Sequence, residues 1–449
     1  MNFNFENLGP IKSGSINIKD LTIICGENNT GKTYISYALY GFYKLFDKYF
    51  KDNINPDEYI REVPNTKNFE IDLNKLYQDI DNIRTKALNQ YKLEIYRVFN
   101  CPKELFNNLK LGVEFENKYK NKEKFFEAYE EGFKEFASLL YEKVIVSREN
   151  EILRITDLEI NIDSENLKFN EMIGLLLKLG FPNKVKDDVF MLPAERSGIN
   201  IFFKELNVNR NNEIYGLNAR VKMKSFIRNI SKYSLPISDY INFLNEMKES
   251  ENQEAEFKML TNELEDNVIG GKYIINKDNT IRFCHKNFKN DESIDFHIAS
   301  STAKTLFSLD YYLKHNAEKG DILIIDEPEL NLHPDNQRKL TRLLAKVVNK
   351  GIKVIISTHS DYIIKEINNL IVLARKFDGY REIMSKYNYK EDELISQDKI
   401  SAHMLNDNSI VEAEISEEGI VMETFDDVIN SYNESSDDIY YSYIDSIEE

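Results

Sequence analysis

Tryptophan is absent from this chain of 449 residues, cysteine occurs three times, and no run reaches the roughly 18 consecutive apolar residues of a membrane span. The three thiols, Cys25, Cys101 and Cys284, share no ligand-like spacing and point to a reducing compartment. No basic-plus-apolar signal segment opens the chain, so the expectation is a cytoplasmic protein that does not enter a membrane. Internal repeats and long low-complexity segments are also lacking. Without tryptophan, the aromatic load falls on 26 Tyr and 27 Phe, which must mostly serve packing.

What is present is enough for real cores: 42% of residues are hydrophobic, and the length allows two or three lobes. The net charge of −18 is unevenly placed. From Lys390 to Glu449 there are 18 acids against two lysines, so this segment carries −16 and the remainder about −2. Acidity is therefore a property of the C-terminal segment and does not exclude a basic face elsewhere.

The chain is organised around Gly26-Glu27-Asn28-Asn29-Thr30-Gly31-Lys32-Thr33, which matches the phosphate-binding pattern G-x-x-x-x-G-K-[ST]. The apolar run Leu21–Cys25 reads as a buried strand entering this loop, and Thr33–Tyr40 as a helix leaving it. Glycines allow backbone N–H groups to close around phosphate oxygens, and the helix N-terminus adds a favourable dipole. Gly26, Asn28, Asn29, Thr30 and Gly31 are thus candidate nucleotide contacts. Lys32 is placed to reach the β- and γ-phosphates and Thr33 to ligate Mg²⁺. The bland alternative is a glycine turn before a helix.

Two later stretches complete the pattern. Asp321–Ile325 is a continuous apolar strand ending in Asp326 and Glu327, as a central parallel strand requires. Asp326 suits a Mg²⁺ held through water, and Glu327 a general base that deprotonates the attacking water. Val354–Thr358 is another buried strand, followed by His359, which can contact the γ-phosphate or that water. Between them lies an amphipathic helix, Asp335–Lys350, closed by Gly351.

Elsewhere, short strands open the chain (Phe3–Phe5 and Ser15–Ile18), and residues 34–146 read as helical. Phe126, Tyr129, Phe133, Phe136 and Leu140 form one stripe of an amphipathic helix. Glu151–Ile162 alternates like a strand, and residues 200–268 turn helical again. Lys204–Lys232 carries a net +5, with Arg220, Lys222, Lys224 and Arg228 as its centre. This is either a solvated helix face or a DNA contact. Gly270-Gly271 opens a hairpin, and Ser301–His315 forms a helix. The acidic segment contains enough Ile, Val, Phe and Tyr to fold as strands (Ile400–Leu405, Ser409–Ile415, Ile420–Thr424) followed by a helix carrying Asp426, Asp427, Asp437 and Asp438. It is either a solvated cap or a surface for a basic partner.

The set GENNTGKT, LIIDEPELNLHP and ISTHS, in this order and spacing, resembles the ABC-class, AAA family ATPases. It is most similar to the soluble branch of chromosome-maintenance and recombination-repair proteins, the overcoming-lysogenisation-defect family, and the ATPase subunits of bacterial anti-phage systems. The resemblance covers roughly residues 1–45, 185–200 and 272–375. It implies an ATPase using Mg²⁺, with Asp326 and Glu327 as the Mg²⁺-associated acid and catalytic base and His359 as the switch histidine. Asn331 and His333 then fall in the loop that communicates across a dimer. Glu195–Ser197 take the place of the nucleotide-sensing segment, without its usual glutamine. Ser300 matches the signature serine that faces the opposite subunit's γ-phosphate, although Ser301 and Thr302 replace the signature glycines. Turnover is therefore expected to be slow.

The 268-residue spacing from Lys32 to Ser300 holds two helical lobes but no long coiled-coil arm, and no metal-dependent nuclease set follows His359. The expected fold is α/β: a P-loop core of ABC-ATPase type with antiparallel edge strands, interrupted by helical lobes, plus a small acidic α+β segment. Its parts are residues 1–45 (core), 46–146 (helical insertion), 147–200 (core strands and sensing segment), 201–271 (helical lobe), 272–390 (core) and 391–449 (acidic segment). The resemblance implies ATP-sandwich dimers, or higher homo-oligomers, that control a separate effector, a nuclease or toxin, in anti-phage defence. The alternatives are a DNA-repair or recombination ATPase and a structural ATP-binding scaffold with little hydrolysis.

Overall fold

The structure, a computed structural model, describes residues 1–63, 68–115, 121–160, 177–178, 188–216, 233–247, 255–276, 278–288, 292–421 and 433–444. Arg220, Lys222, Lys224 and Arg228 lie outside these residues, as do Asp426 and Asp427. The described residues fall into two compact units.

One unit comprises Gly41–Ile95 and Leu111–Asp188 together with Met1. Its sheet is antiparallel, in the order Ile60–Glu62, Phe69–Asp72, Ile152–Ile160, Tyr141–Glu149. Two long helices accompany it, Leu73–Glu94 and Lys122–Leu140. The first is capped by Asp72, whose carboxylate accepts from the Lys75 N–H at 2.9 Å. The expected aromatic stripe is core: Phe126, Tyr129 and Phe133 are fully buried, and the Tyr129 hydroxyl donates to the Leu177 carbonyl at 2.8 Å. The side chains of Phe136 and Leu140 are outside the description. The wholly helical reading of 34–146 needs correction, because strands interrupt it at Ile60–Glu62, Phe69–Asp72, Lys110–Glu114 and Tyr141–Glu149. Phe69 and Ile71 point inward and Glu70 and Asp72 outward, a period-2 signal too short to compete with the long helical pattern beside it.

The second unit holds Asn2–Tyr40, Tyr96–Lys110 and the described residues from Val189 onward. Eight successive strands of its main sheet run in the order Asn2–Leu8, Ile11–Asn17, Ser409–Glu412, Ile400–Asn406, Leu21–Gly26, Lys353–Thr358, Ile322–Asp326, Val189–Leu192. Leu21–Gly26, Lys353–Thr358, Ile322–Asp326 and Val189–Leu192 are parallel, and Asn2–Leu8 pairs antiparallel with Ile11–Asn17 toward one side of the sheet. This is the expected α/β core with antiparallel edge strands. Buried on both faces, Leu21–Gly26 and Ile322–Asp326 have no exposed residue, which their apolar runs anticipated. Helices Pro334–Asn349 and Asp361–Ala374 pack their apolar sides into this core.

The acidic segment is not simply an appendage. Ile400–Asn406 lies within the sheet, parallel to the phosphate-loop strand, with Ile400 opposite Leu21 and Leu405 opposite Gly26. Ile400, Ser401, Ala402 and His403 are buried. The strand itself was expected from its apolar content; its place inside the core sheet was not. Beyond the strand, residues 433–444 form a helix whose Ile439, Tyr440, Tyr441 and Tyr443 are exposed. Among the described residues, no helix is long and apolar enough to cross a membrane.

Candidate nucleotide site

In an open parallel sheet, ligands bind beyond the carboxyl ends of the strands. Three neighbouring strands end level with one another here: Cys25 is opposite Thr358, and Ser357 is opposite Asp326. The phosphate loop follows the first of these ends, the acidic pair the second, and His359 the third.

The loop needs its glycines. A Cβ on Gly26 would lie 2.9 Å from Thr30 Oγ1 and 3.0 Å from Leu405 Cβ, because the strand bearing Leu405 runs alongside. Gly31 has φ +106°, and a Cβ there would meet Ile11 Cγ1 and Pro10 Cγ at 2.9 Å. Asn29 takes a left-handed φ of 65°, which asparagine tolerates. Thr30 Oγ1 donates to the Glu27 carbonyl at 2.9 Å, closing the turn before the helix Lys32–Asp52. Asn28 and Asn29 are exposed at the loop's crest. Lys32 is buried, and its ammonium donates to the carbonyls of Gly26 at 2.9 Å and Glu27 at 2.8 Å.

Thr33 Oγ1 donates to Asp326 Oδ2 at 2.9 Å, and the Ser357 hydroxyl donates to the other Asp326 oxygen. A hydroxyl and a carboxylate side by side are hard oxygen donors, the set that suits Mg²⁺. Glu327 follows in a left-handed conformation, φ 50°, a strained state for a residue with a side chain. Its backbone is held on both sides. Its N–H donates to the Ser357 carbonyl at 3.0 Å, and its own carbonyl accepts from the Arg196 guanidinium at 2.7 Å. Burial, reinforced by the adjacent Asp326 carboxylate, raises the Glu327 pKa above its ordinary value, whereas His359 opposes the shift. A carboxylate made more basic in this way suits general-base work.

Arg196 is more than the sensing-segment position suggested. It is buried, donating to Pro193 O at 3.1 Å and Asp326 O at 2.6 Å as well as to Glu327 O. It therefore braces the backbone of both acids. Glu195, beside it, is exposed. Four residues on, Asn200 joins a buried polar cluster: Tyr240 donates to Asn200 Oδ1 at 2.7 Å, and Asn200 Nδ2 donates to Lys304 O at 2.8 Å.

Ser300 is exposed and caps the helix Ser301–His315, accepting from the Ala303 N–H at 3.2 Å. Thr302 Oγ1 donates to the Asn331 carbonyl at 3.2 Å, tying the start of this helix to the loop after the acidic strand. His333 caps the next helix, its Nδ1 accepting from the Asp335 N–H at 3.3 Å.

Sequence reasoning missed Glu329, Ser357 and the bracing role of Arg196. Glu329 is the third acid of Asp326-Glu327-Pro328-Glu329, and that repetition was the available signal.

The sequence matches the family described as the AAA ATPase domain over residues 1–364. The chain belongs to this family of ATPase domains. No curated protein matches it. Among solved structures, the SMC head bound to the C-winged helix domain of ScpA is 12% identical, over 92% of this chain and 97% of that one, with a TM-score of 0.36. The SMC head domain from Thermotoga maritima is 12% identical over 92% and 98%, with a TM-score of 0.30. The head domain with an extended coiled coil, bound to the C-terminal domain of ScpA from Pyrococcus furiosus, is 12% identical over 96% and 98%, with a TM-score of 0.31.

Proposed function

We propose that this ATPase-family chain binds ATP with Mg²⁺ in the Gly26–Thr33 loop and hydrolyses it slowly, two copies closing around the nucleotide. The observation supporting this reading is the convergence of Lys32, Thr33, Asp326, Glu327 and His359 at three adjacent strand ends. Lys32 and the loop N–H groups bind the phosphate oxygens. Thr33 and Asp326 would hold Mg²⁺, which when bound neutralises charge on the phosphates. Glu327 accepts a proton from the attacking water as its oxygen bonds to the γ-phosphorus and the ADP oxygen leaves. His359 contacts the γ-phosphate or that water.

The sandwich is supported by the exposed helix start at Ser300, which can offer hydroxyl and N–H groups to a second copy's phosphate. The Thr302–Asn331 bond gives nucleotide closure a route to the rest of the unit. Control of a separate nuclease or toxin in anti-phage defence is supported by the motif resemblance. Phosphate release by wild type and Glu327→Gln, with mass photometry in ATP, tests the scheme. Hydrolysis by wild type that collapses in the variant, with ATP-dependent oligomers accumulating, is the expected result. Equal near-zero rates in both would support a scaffold and remove the enzyme.

A further inference from the structure

Glu329 is buried, and its hydrogen bonds go to the histidine turn. Its Oε1 accepts from the Thr358 hydroxyl at 2.8 Å and from the His359 backbone N–H at 2.8 Å. The same oxygen lies 3.3 Å from His359 Nδ1, closer than Glu327 at 3.8 Å. Its other oxygen, Oε2, is buried with no hydrogen-bond partner. A buried carboxylate is costly, and one left half satisfied calls for a reason beyond packing. A neutral acceptor would serve the Thr358 hydroxyl and the backbone N–H equally well. A negative charge here acts on the buried Arg196 guanidinium and on the histidine ring, and of these two the ring is the one within 3.3 Å of the carboxylate.

We propose that Glu329 is the positioning residue for His359, fixing its backbone and holding the ring proton on Nδ1 so that Nε2 is the nitrogen left for the nucleotide. An imidazole's second nitrogen is set by the hydrogen bond its first one makes, and carboxylates are the usual anchor for that bond. The inference rests on the reading of His359 as a nucleotide contact. The residues on either side fit the role. Thr358 Oγ1 accepts from the Ser360 N–H at 3.0 Å, and Ser360 caps the helix Asp361–Ala374, so the turn bearing His359 is held at both ends.

The test compares wild type, Glu329→Gln, His359→Ala and the double variant. Glu329→Gln keeps the size and an acceptor oxygen, so ATP KM should stay within about twofold while kcat falls roughly tenfold or more. Added to His359→Ala, Glu329→Gln should cost nothing further, because the ring it positions is gone. An unchanged kcat in Glu329→Gln overturns the proposal, as does a full additional loss in the double variant. A second readout does not need turnover. In ¹⁵N-histidine spectra at alkaline pH, the signal absent from His359→Ala should report a protonated Nδ1 in wild type and a changed tautomer mixture in Glu329→Gln. The same tautomer in both overturns the proposal. If wild type fails to hydrolyse ATP while the spectra behave as expected, the catalytic reading falls and the positioning role stands.

Discussion

Asp310 sits on the helix capped by Ser300, buried, with Oδ1 unpartnered. Burial, with the neighbouring Glu265 carboxylate adding to it, pushes its pKa up to about 8, while Lys314 pulls the other way. Lys314 is itself engaged, donating to Glu265 at 3.2 Å. The folded protein therefore keeps Asp310 protonated at neutral pH, whereas the unfolded chain releases that proton near 3.8. A folded pKa above the unfolded one makes the sign clear: the contribution is intact below about pH 4 and is lost as pH rises toward 8. At about 1.4 kcal/mol per unit, protonating the group costs about 4 kcal/mol at pH 7, levelling off near roughly 6 kcal/mol above pH 8. Asparagine cannot ionise and escapes this penalty, though its buried amide gives back about 1–3 kcal/mol if it finds no acceptor. Asp310→Asn should therefore be more resistant to urea than wild type at pH 8. Its advantage should shrink by about 1.4 kcal/mol for each pH unit below that. Equilibrium unfolding from pH 6 to 9 reads this directly. A wild-type-to-variant gap that stays constant over that range would refute the reasoning, because it would mean that Asp310 does not titrate differently in the two states.

Lys32→Ala should weaken ATP binding by about 100-fold, since charge-assisted bonds of about 1.5–3 kcal/mol each are lost; titration calorimetry measures it, and an unaltered affinity would remove the loop assignment. Arg196→Lys keeps the charge, but one ammonium cannot replace a planar fork that donates to three carbonyls. It should cost about 3 kcal/mol in urea unfolding and lower phosphate release with little change in ATP affinity. Burial holds His403 below the ordinary imidazole value, against its bond with the Asn17 backbone and the charge of Glu412. Its folded pKa is depressed, so its share of stability is full above the unfolded value of 6.5 and is lost as pH falls below it. His403→Asn should flatten the acid side of the thermal stability profile, and a profile parallel to wild type would count against that assignment.

The parts of the core that were legible are those where local pattern and burial agree. Leu21–Gly26, Ile322–Asp326 and Lys353–Thr358 are apolar because each is covered on both faces, and each ends where its motif begins. Ser301–His315 was readable to the residue, because Ser300 supplies a cap and the apolar spacing starts at once. Position in the sheet was not legible. Nothing in Ile400–Asn406 says that it inserts beside the phosphate-loop strand, since that pairing joins residues nearly 380 apart in the chain. The short strands around Phe69–Asp72 were swallowed by longer helical periods for the same reason: local signal length, not partner identity, governs what a sequence pattern reveals.

The site shows the same division more sharply. Motif residues announce themselves because each touches phosphate or metal in any protein that uses this chemistry. The residues that brace them do so through backbone carbonyls and N–H groups, which every residue has, so their targets leave no mark in the sequence. Arg196 binds the carbonyls of Asp326 and Glu327, not their side chains, and Glu329 accepts from the His359 N–H. Both are buried charges, and a buried charge requires compensation. That requirement turns a solvation cost into a restraint: the guanidinium is stable only while the acidic turn holds its left-handed shape, and the carboxylate only while the histidine turn stays in place. On the proposed function, a nucleotide between the two turns would be met by groups already fixed from behind, and substitutions at these two braces should degrade turnover before they degrade binding.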